Sequence, residues 1–415
     1  MSPVQLPLGA SIATISHPEM RSLVLVLAAS AAAAFLSRIV SGVVLPTVVV
    51  EIALGIIIGP EVLGWATAGQ YVDFLSNLGL ATLFLFAGIE VVEKRVSKRA
   101  ITRGTTGWAI SIAIGIAIGY LLHGFGLGAE GWLIGIAIST TSLGTLVPIL
   151  SDSGLLRTPL GVAVLGTGLA GEFWPIIFMS VFLTSVYGAG TEIVLLVAFG
   201  AITFGAAVTA LRARPPRLVA ILLETLHSTG QAAVRLAIFL LGALVLLAVD
   251  VGADFILGAF AAGLIVGLVT DSPDGQIVRM RLEGIGFGFL IPIYFVTTGL
   301  TFDIDSLLSA RGLSLAALFL VLLLVVRGAS ALLWLRELGG RSTTSLALYG
   351  ATALPLIVAI VTVGSERGAI SADVAAPLIG AGMVSVLAYP LLAGLTNPSD
   401  VLTDTTTLVE PSIEV

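Results

Sequence analysis

The chain of 415 residues is 57% hydrophobic and only 11% charged, with a mean hydropathy of +1.11. A water-soluble globular protein needs far more charge at its surface, so this composition describes a polytopic membrane protein. The formal net charge of -6 and the scatter of basic residues through short connections argue against a nucleic-acid partner. The absence of cysteine removes disulfides, thiolate metal sites and cysteine nucleophiles, and His17, His123 and His227 are too far apart to predict a zinc cluster. No cofactor is expected.

The first basic residue is Arg21, so no basic n-region precedes the first apolar stretch, and that stretch is expected to stay in the membrane. Stretches long enough to cross about 30 Å of hydrocarbon fall near 21–40, 43–60, 73–92, 104–122, 131–150, 158–186 and 191–211. Six more follow, near 229–249, 253–270, 284–301, 312–334, 342–363 and 372–395, which makes thirteen predicted spans in an all-α protein.

Lys and Arg give the orientation, because they accumulate on the cytoplasmic side. One side holds Arg38, the group Lys94, Arg95, Lys98, Arg99 and Arg103, then Arg157, Arg212, Arg214, Arg217, Arg279, Arg281, Arg336 and Arg341. The other holds only Arg21, Arg311 and Arg367. The predicted topology has the N-terminus outside and the C-terminus in the cytoplasm of a plasma (inner) membrane, with 212–228 a basic cytoplasmic connection and 396–415 a solvated tail. Trp65, Trp108, Trp132 and Trp334 fall near span ends, where interfacial anchors are expected.

Two spans are interrupted in corresponding places. In the fifth, Ser139-Thr140-Thr141-Ser142-Leu143-Gly144-Thr145 precedes Pro148; in the twelfth, Tyr349-Gly350-Ala351-Thr352-Ala353 precedes Pro355. Proline withholds a backbone donor, and clustered hydroxyls and glycine make a helix easy to open at that depth. Each interrupted span is the fourth of a five-span unit, spans 2 to 6 and spans 9 to 13, and the two units run in opposite directions through the membrane. Broken helices at matching positions of inverted repeats point to a substrate site near the midplane, with backbone carbonyls and half-helix dipoles turned toward a cation.

Glu172 lies alone inside the apolar sixth span, where an ionisable group signals function. Gly161 and Gly168 share its helical face, so a neighbouring backbone can approach, and the fifth span with Thr140 and Thr141 is the natural neighbour. Desolvation favours the protonated carboxyl and an arriving cation favours the ionised one, so proton and cation compete for one group. Arg327, deep in the eleventh span, needs a partner: either Glu172, or the carbonyls of an opened helix on which it acts as a clamp. Glu51, within the second span, either lines an access route or forms a structural pair; Trp174, two residues past Glu172, is a candidate for narrowing that route. Glu90, Asp152 and Arg235 lie near cytoplasmic ends and read as snorkelling side chains, while Asp250 and Asp254 face outside and read as solvated groups or cation collectors.

These residues resemble the second family of monovalent cation:proton antiporters. The likeness runs from about residue 21 to 395 and rests on Leu45-Pro46 through Gly59-Pro60, Leu83-Phe84-Leu85-Phe86-Ala87-Gly88-Ile89-Glu90, Ile138-Ser139-Thr140-Thr141-Ser142 and Thr158-Pro159-Leu160-Gly161. It continues in Leu257-Gly258-Ala259-Phe260-Ala261-Ala262-Gly263 and Pro292-Ile293-Tyr294-Phe295-Val296-Thr297-Thr298-Gly299-Leu300. The resemblance implies thirteen transmembrane helices with inverted five-helix repeats, two crossed, broken helices, and a core that moves against a dimerisation scaffold like an elevator. On this plan residues 1–20 are an extracellular segment, 21–103 scaffold helices 1 to 3, 104–190 core helices 4 to 6, 191–228 a linker helix and cytoplasmic connection, 229–311 scaffold helices 8 to 10, 312–395 core helices 11 to 13 and 396–415 the tail. It further implies a homodimer in the lipid bilayer that exchanges Na+ or K+ for H+, with Glu172 as the cation- and proton-binding acid, Thr140, Thr141 and Ser142 beside it, and Arg327 as a basic partner.

Gly144, Pro148, Thr352 and Pro355 mark the broken helices. The chain departs from the family where Gly171 stands before Glu172, at a position that commonly carries Asp, Asn or Gln next to an Asp. A single carboxylate favours one proton per cation and an electroneutral cycle. The alternatives are a sodium- or proton-coupled carrier of an organic anion, with Arg327 holding the substrate, and a channel-like cation efflux protein, although no Thr-Val-Gly-Tyr-Gly filter is present. An intramembrane enzyme lacks a His-Glu-x-x-His motif or any comparable constellation.

Overall fold

A computed structural model describes residues 17–39, 46–93, 97–187, 231–250, 254–270 and 275–396. Among them all regular structure is helical: α1 (His17–Ile39), α2 (Thr47–Ile58), α3 (Gln70–Glu93), α4 (Lys98–Gly124), α5 (Gly131–Ile138), α6 (Leu143–Asp152), α7 (Pro159–Tyr187), α8 (Ala232–Asp250) and α9 (Phe255–Thr270). Then come α10 (Gly275–Ile285), a π turn (Gly286–Leu290), α11 (Ile291–Leu300), α12 (Ile304–Leu308), α13 (Ala310–Ala331), α14 (Leu335–Gly350), α15 (Leu354–Glu366) and α16 (Ala372–Thr396). Eight stretches of the described residues are long and apolar enough to span a membrane, with three shorter apolar helices besides. Every predicted span but the seventh falls on a described helix; 191–211, the connection 212–228, the N-terminal segment 1–16 and the tail 397–415 lie outside the described residues.

The chain divides into two compact units. The first comprises residues 1–79 and 287–302, the second 80–286 and 303–415. In the first, α2 packs on α1 and α11 around Val26, Ile58, Ala66, Val72, Ile293 and Val296. Glycines permit the contact: a Cβ on Gly55 would lie 2.1 Å from the Val296 carbonyl oxygen, and one on Gly299 would lie 2.2 Å from that of Ile52. Without lipid-excluded area to bury, helices in a bilayer gain most from this kind of backbone approach. Glu51 sits on α2 and is 4% exposed.

In the second unit α4 packs against α5, α7 and α13. Its start is capped by Ser97, which accepts from Ala100 N at 3.3 Å, and Ser309 caps α13 through Gly312 N at 2.9 Å. Both interrupted spans are broken as predicted. The fifth consists of α5 and α6 separated by Ser139–Ser142; the twelfth of α14 and α15 separated by Ala351–Ala353. The two broken helices cross at their breaks, where Ser142 N donates to Thr352 O at 2.8 Å.

The charged residues at the helix ends sort into two groups. At one end Arg99 and Arg103 both bond Glu337, and Arg103 lies 5.2 Å over the Trp334 ring. At the other Arg367 meets Asp254 at 2.9 Å and Arg311 meets Asp373 at 3.3 Å. Asp254 is thus buried and paired rather than solvated. Of the predicted tryptophan anchors only Trp65 is exposed; Trp108, Trp132 and Trp334 are buried against neighbouring helices. Position near a span end fixes depth, and the azimuth of the side chain decides whether it meets lipid or protein.

Glu337 lies in the first turn of α14, just before a kink at Gly339, whose φ of 73° turns the chain. The Arg103 hydrogen bond first, and then the charges of Arg103 and Arg99, hold its carboxyl below the usual carboxylate range. A depressed folded-state value means that the pair contributes above the unfolded value and is lost as pH falls through the folded one. Glu337→Gln is therefore expected to lower the melting temperature slightly at pH 7, with the two proteins converging as pH falls below the ordinary carboxylate range and in high salt.

Candidate functional site

Helix α7 delivers the carboxylate. Thr158 caps it, accepting from Gly161 N at 3.1 Å, and Pro159 occupies its first position, where a missing N–H costs nothing. Further along, Pro175 has no N–H to give the carbonyl four residues back, that of Gly171. That freed carbonyl accepts from Thr141 N at 2.9 Å, so the proline in α7 creates the acceptor that anchors the break of the fifth span. Glu172, half-buried, follows directly and its Oε2 accepts from Leu143 N at 3.1 Å. Leu143 is the first residue of α6, so the carboxylate stands on the positive end of a half-helix, where a negative charge is favoured.

The opposite arrangement holds at the other break. Gly350 ends α14 with a carbonyl that no helical N–H can take, and Arg327, 0% exposed, donates to it from Nε at 3.2 Å. The Thr141 hydroxyl donates to the same oxygen. Arg327 Nη2 donates to Thr167 O at 3.1 Å and Nη1 to Ser111 Oγ at 3.4 Å, while Ser111 in turn donates to Val326 O at 3.0 Å. All these acceptors are neutral. Of the two partners open to Arg327 in the sequence, the structure selects the carbonyls of the opened helix: a cation on the negative end of α14, matching the anion on the positive end of α6.

Among the other predicted residues, Thr140 and Thr141 are fully buried and Ser142 nearly so. The Thr140 hydroxyl donates to Ala137 O at 2.7 Å, closing the end of α5, and Ser142 Oγ lies 3.2 Å from Thr145 Oγ1. Thr352 donates to Leu348 O at 3.3 Å, and the second break is further pinned where Ala353 N donates to Ser385 Oγ at 3.4 Å. Pro148 lies within α6 and Pro355 in the first turn of α15. Trp174 donates from Nε1 to Thr105 Oγ1 at 3.3 Å and stacks on Trp108 with centroids 6.0 Å apart, which ties α7 to α4. Glu51 belongs to the first unit.

Ser111, Thr167 and Ser385 carry no mark in the sequence because they act through backbone or as single hydroxyls in apolar helices, whereas Gly350 lies in the predicted break of the twelfth span. Gly171 left a signal. A Cβ there would lie 2.8 Å from Arg327 Nη2, 2.8 Å from Thr141 Oγ1 and 2.9 Å from Thr141 Cβ. Any side chain at 171 must displace the buried guanidinium or the Thr141 side chain, so this arrangement leaves no room for a second polar side chain next to Glu172. Gly171→Asn is accordingly expected to lower the melting temperature of the purified protein by several degrees, whereas Gly168→Ala, away from Arg327, meets only the Leu143 side chain at 2.7 Å and is expected to cost less.

Two broken helices cross at their breaks, with the Glu172 carboxylate on the N-terminal end of α6 and the buried Arg327 guanidinium on the C-terminal end of α14, the kind of arrangement found at the core of multi-pass secondary transporters. Residues 25–394 match the family described as sodium/hydrogen exchanger, transmembrane, and the chain belongs to that family. It is 29% identical over 398 residues to the putative Na(+)/H(+) antiporter YjbQ of Bacillus subtilis, which covers 91% of this chain and 63% of that relative. The chain thus spans 63% of that relative's length. It is 22% identical over 354 residues to the probable Na(+)/H(+) antiporter 3 of Methanocaldococcus jannaschii, covering 84% of this chain and 89% of the relative. The structure of the sodium proton antiporter MjNhaP1 from the same organism superposes with a TM-score of 0.64 at 17% identity, over 91% of this chain and 98% of the other, and shares its fold.

Proposed function

We propose that the chain exchanges a monovalent cation, Na+ or K+, for protons, with Glu172 as the group for which the two compete. The observation that carries this reading is the seat of the carboxylate: Glu172 rests on the N-terminus of α6 at the crossing of the two breaks, held by Leu143 N at 3.1 Å. Relatives named as Na(+)/H(+) antiporters, and the Na(+)/H(+)-K(+) antiporter GerN of Bacillus cereus at 23% identity over 265 residues, support the choice of ions. An organic anion held by Arg327 is disfavoured, because its guanidinium is spent on Gly350, Thr167 and Ser111.

The finer reading has a core of residues 104–190 and 312–395 moving as an elevator against scaffold helices, an electroneutral cycle from the single carboxylate, a homodimer, and an N-terminus outside the plasma membrane. Exchange is tested in proteoliposomes carrying an imposed pH gradient and challenged separately with Na+, K+ and Li+. A collapse of the gradient triggered by one cation supports exchange and names the ion. Silence of the folded protein to all three refutes it.

A further inference from the structure

Arg367 and Asp254 meet at 2.9 Å, and each is fixed to a different part of the chain. Arg367 ends α15, and the connection that follows it is pinned to the start of α5: Glu130 N donates to Ala369 O at 2.9 Å and Ser371 N to Gly128 O at 2.7 Å. The guanidinium therefore keeps its place with α5 and α15, one half of each broken span. Asp254 heads α9 instead, where its Oδ1 accepts from Ile256 N at 3.1 Å and its carbonyl from Leu257 N at 3.0 Å. That helix is seated on α3 through backbone: a Cβ on Gly88 would lie 2.3 Å from Phe260 O, and one on Gly263 would lie 2.1 Å from Leu85 O. Contacts this close hold two helices in one register. Toward the broken spans α9 is joined through side chains, with the Phe260 ring 5.7 Å from that of Phe173 on α7 and Asp254 on Arg367. Rings can slide and an ion pair can open, whereas a glycine seated on a carbonyl cannot shift without a clash.

Asp254 is 4% exposed, so parting it from the guanidinium leaves a buried carboxylate uncompensated until water reaches it. The pair therefore resists separation. Resting on the exchanger reading, in which residues 104–190 and 312–395 move against the scaffold helices, we propose that the Arg367–Asp254 pair is a latch that holds the arrangement seen here and opens once in each transport stroke. A latch stabilises one of the two end states and so sets their ratio. The apparent dissociation constant on each face of the membrane is the intrinsic one divided by the fraction of protein open to that face, so weakening the latch moves the two KM values in opposite directions. An ion pair with a merely structural role would lower the melting temperature and leave the ratio of the two KM values alone.

The test measures cation-dependent proton flux in proteoliposomes of uniform orientation, with Na+ or K+ supplied from either face, for the wild type, Asp254→Asn, Arg367→Gln and the double variant. Asn keeps an acceptor for Ile256 N, so the start of α9 stays capped. Each single variant is expected to change the ratio of the two KM values by about fivefold or more, and the double variant to change it no further than Arg367→Gln alone, because the same interaction is lost in all three. An unchanged ratio, or a double variant shifted by the product of the two single effects, would overturn the inference. Because the chain has no cysteine, Asp254→Cys combined with Arg367→Cys gives an independent arm: a bis-methanethiosulfonate crosslink, verified by mass, is expected to stop exchange and dithiothreitol to restore it, while each single cysteine keeps its flux under the same reagent. A crosslinked protein that exchanges at the uncrosslinked rate rules the latch out. An active wild type indifferent in both arms leaves the exchanger reading standing, whereas a silent wild type removes both.

Discussion

Glu172→Gln is expected to abolish cation-driven proton flux, lowering it by at least about 10²-fold, the scale on which a positioned proton-transfer group contributes, while leaving the fold intact. The amide oxygen of Gln still accepts from Leu143 N, so the hydrogen bond at 3.1 Å survives in kind. What disappears is the charge that a cation needs and the site that a proton occupies. Flux in proteoliposomes and the melting temperature of the same preparation separate the two consequences. Glu172→Asp keeps the charge but withdraws the carboxylate by one methylene from the end of α6, and a reduced, nonzero flux is expected of it. A Gln variant that exchanges at the wild-type rate would remove Glu172 from the mechanism.

Arg327→Met should be the most damaging substitution for stability. The side chain is 0% exposed and its guanidinium joins α13 to Gly350 at the end of α14, to Thr167 on α7 and to Ser111 on α4. Met fills much of the volume but donates nothing, so the Gly350 carbonyl is left with the Thr141 hydroxyl alone and Thr167 O and Ser111 Oγ each lose a donor, at about 1.5–3 kcal/mol for each charge-assisted hydrogen bond removed. A lower melting temperature and a reduced folded yield in detergent are expected. Arg327→Lys retains the charge at the negative end of α14, but one ammonium cannot span all three acceptors, and an intermediate loss is expected. Unchanged melting of Arg327→Met would show that the breaks are held by other contacts.

Much of this architecture is legible in the sequence because a bilayer makes local rules strict. Apolar length fixes the spans, and Pro148 and Pro355 with their flanking hydroxyls and glycines fix where two of them open. The depth of Glu172 and Arg327 follows from their place along α7 and α13. What sequence does not carry is the partner of each charge. Both groups bind backbone, Leu143 N in one case and the Gly350 and Thr167 carbonyls in the other, and every residue offers such groups, so nothing in the side-chain pattern singles these out. The same limit explains Trp108, whose rank along α4 predicts an interface although its azimuth buries it. Gly171 lies between these cases: its departure from the family pattern is visible in the sequence, and the guanidinium and hydroxyl that fill the space of a Cβ there only in three dimensions.

The central claim is that one carboxylate serves both ions by competition, and the most direct test is the apparent KM for the transported cation measured across pH in proteoliposomes. Competition for Glu172 predicts that KM rises about tenfold per unit as pH falls below the pKa of its carboxyl, because each proton bound removes one cation site, while kcat at saturating cation stays level. A KM that does not change with pH while exchange proceeds would contradict the account and require separate sites for the cation and the proton.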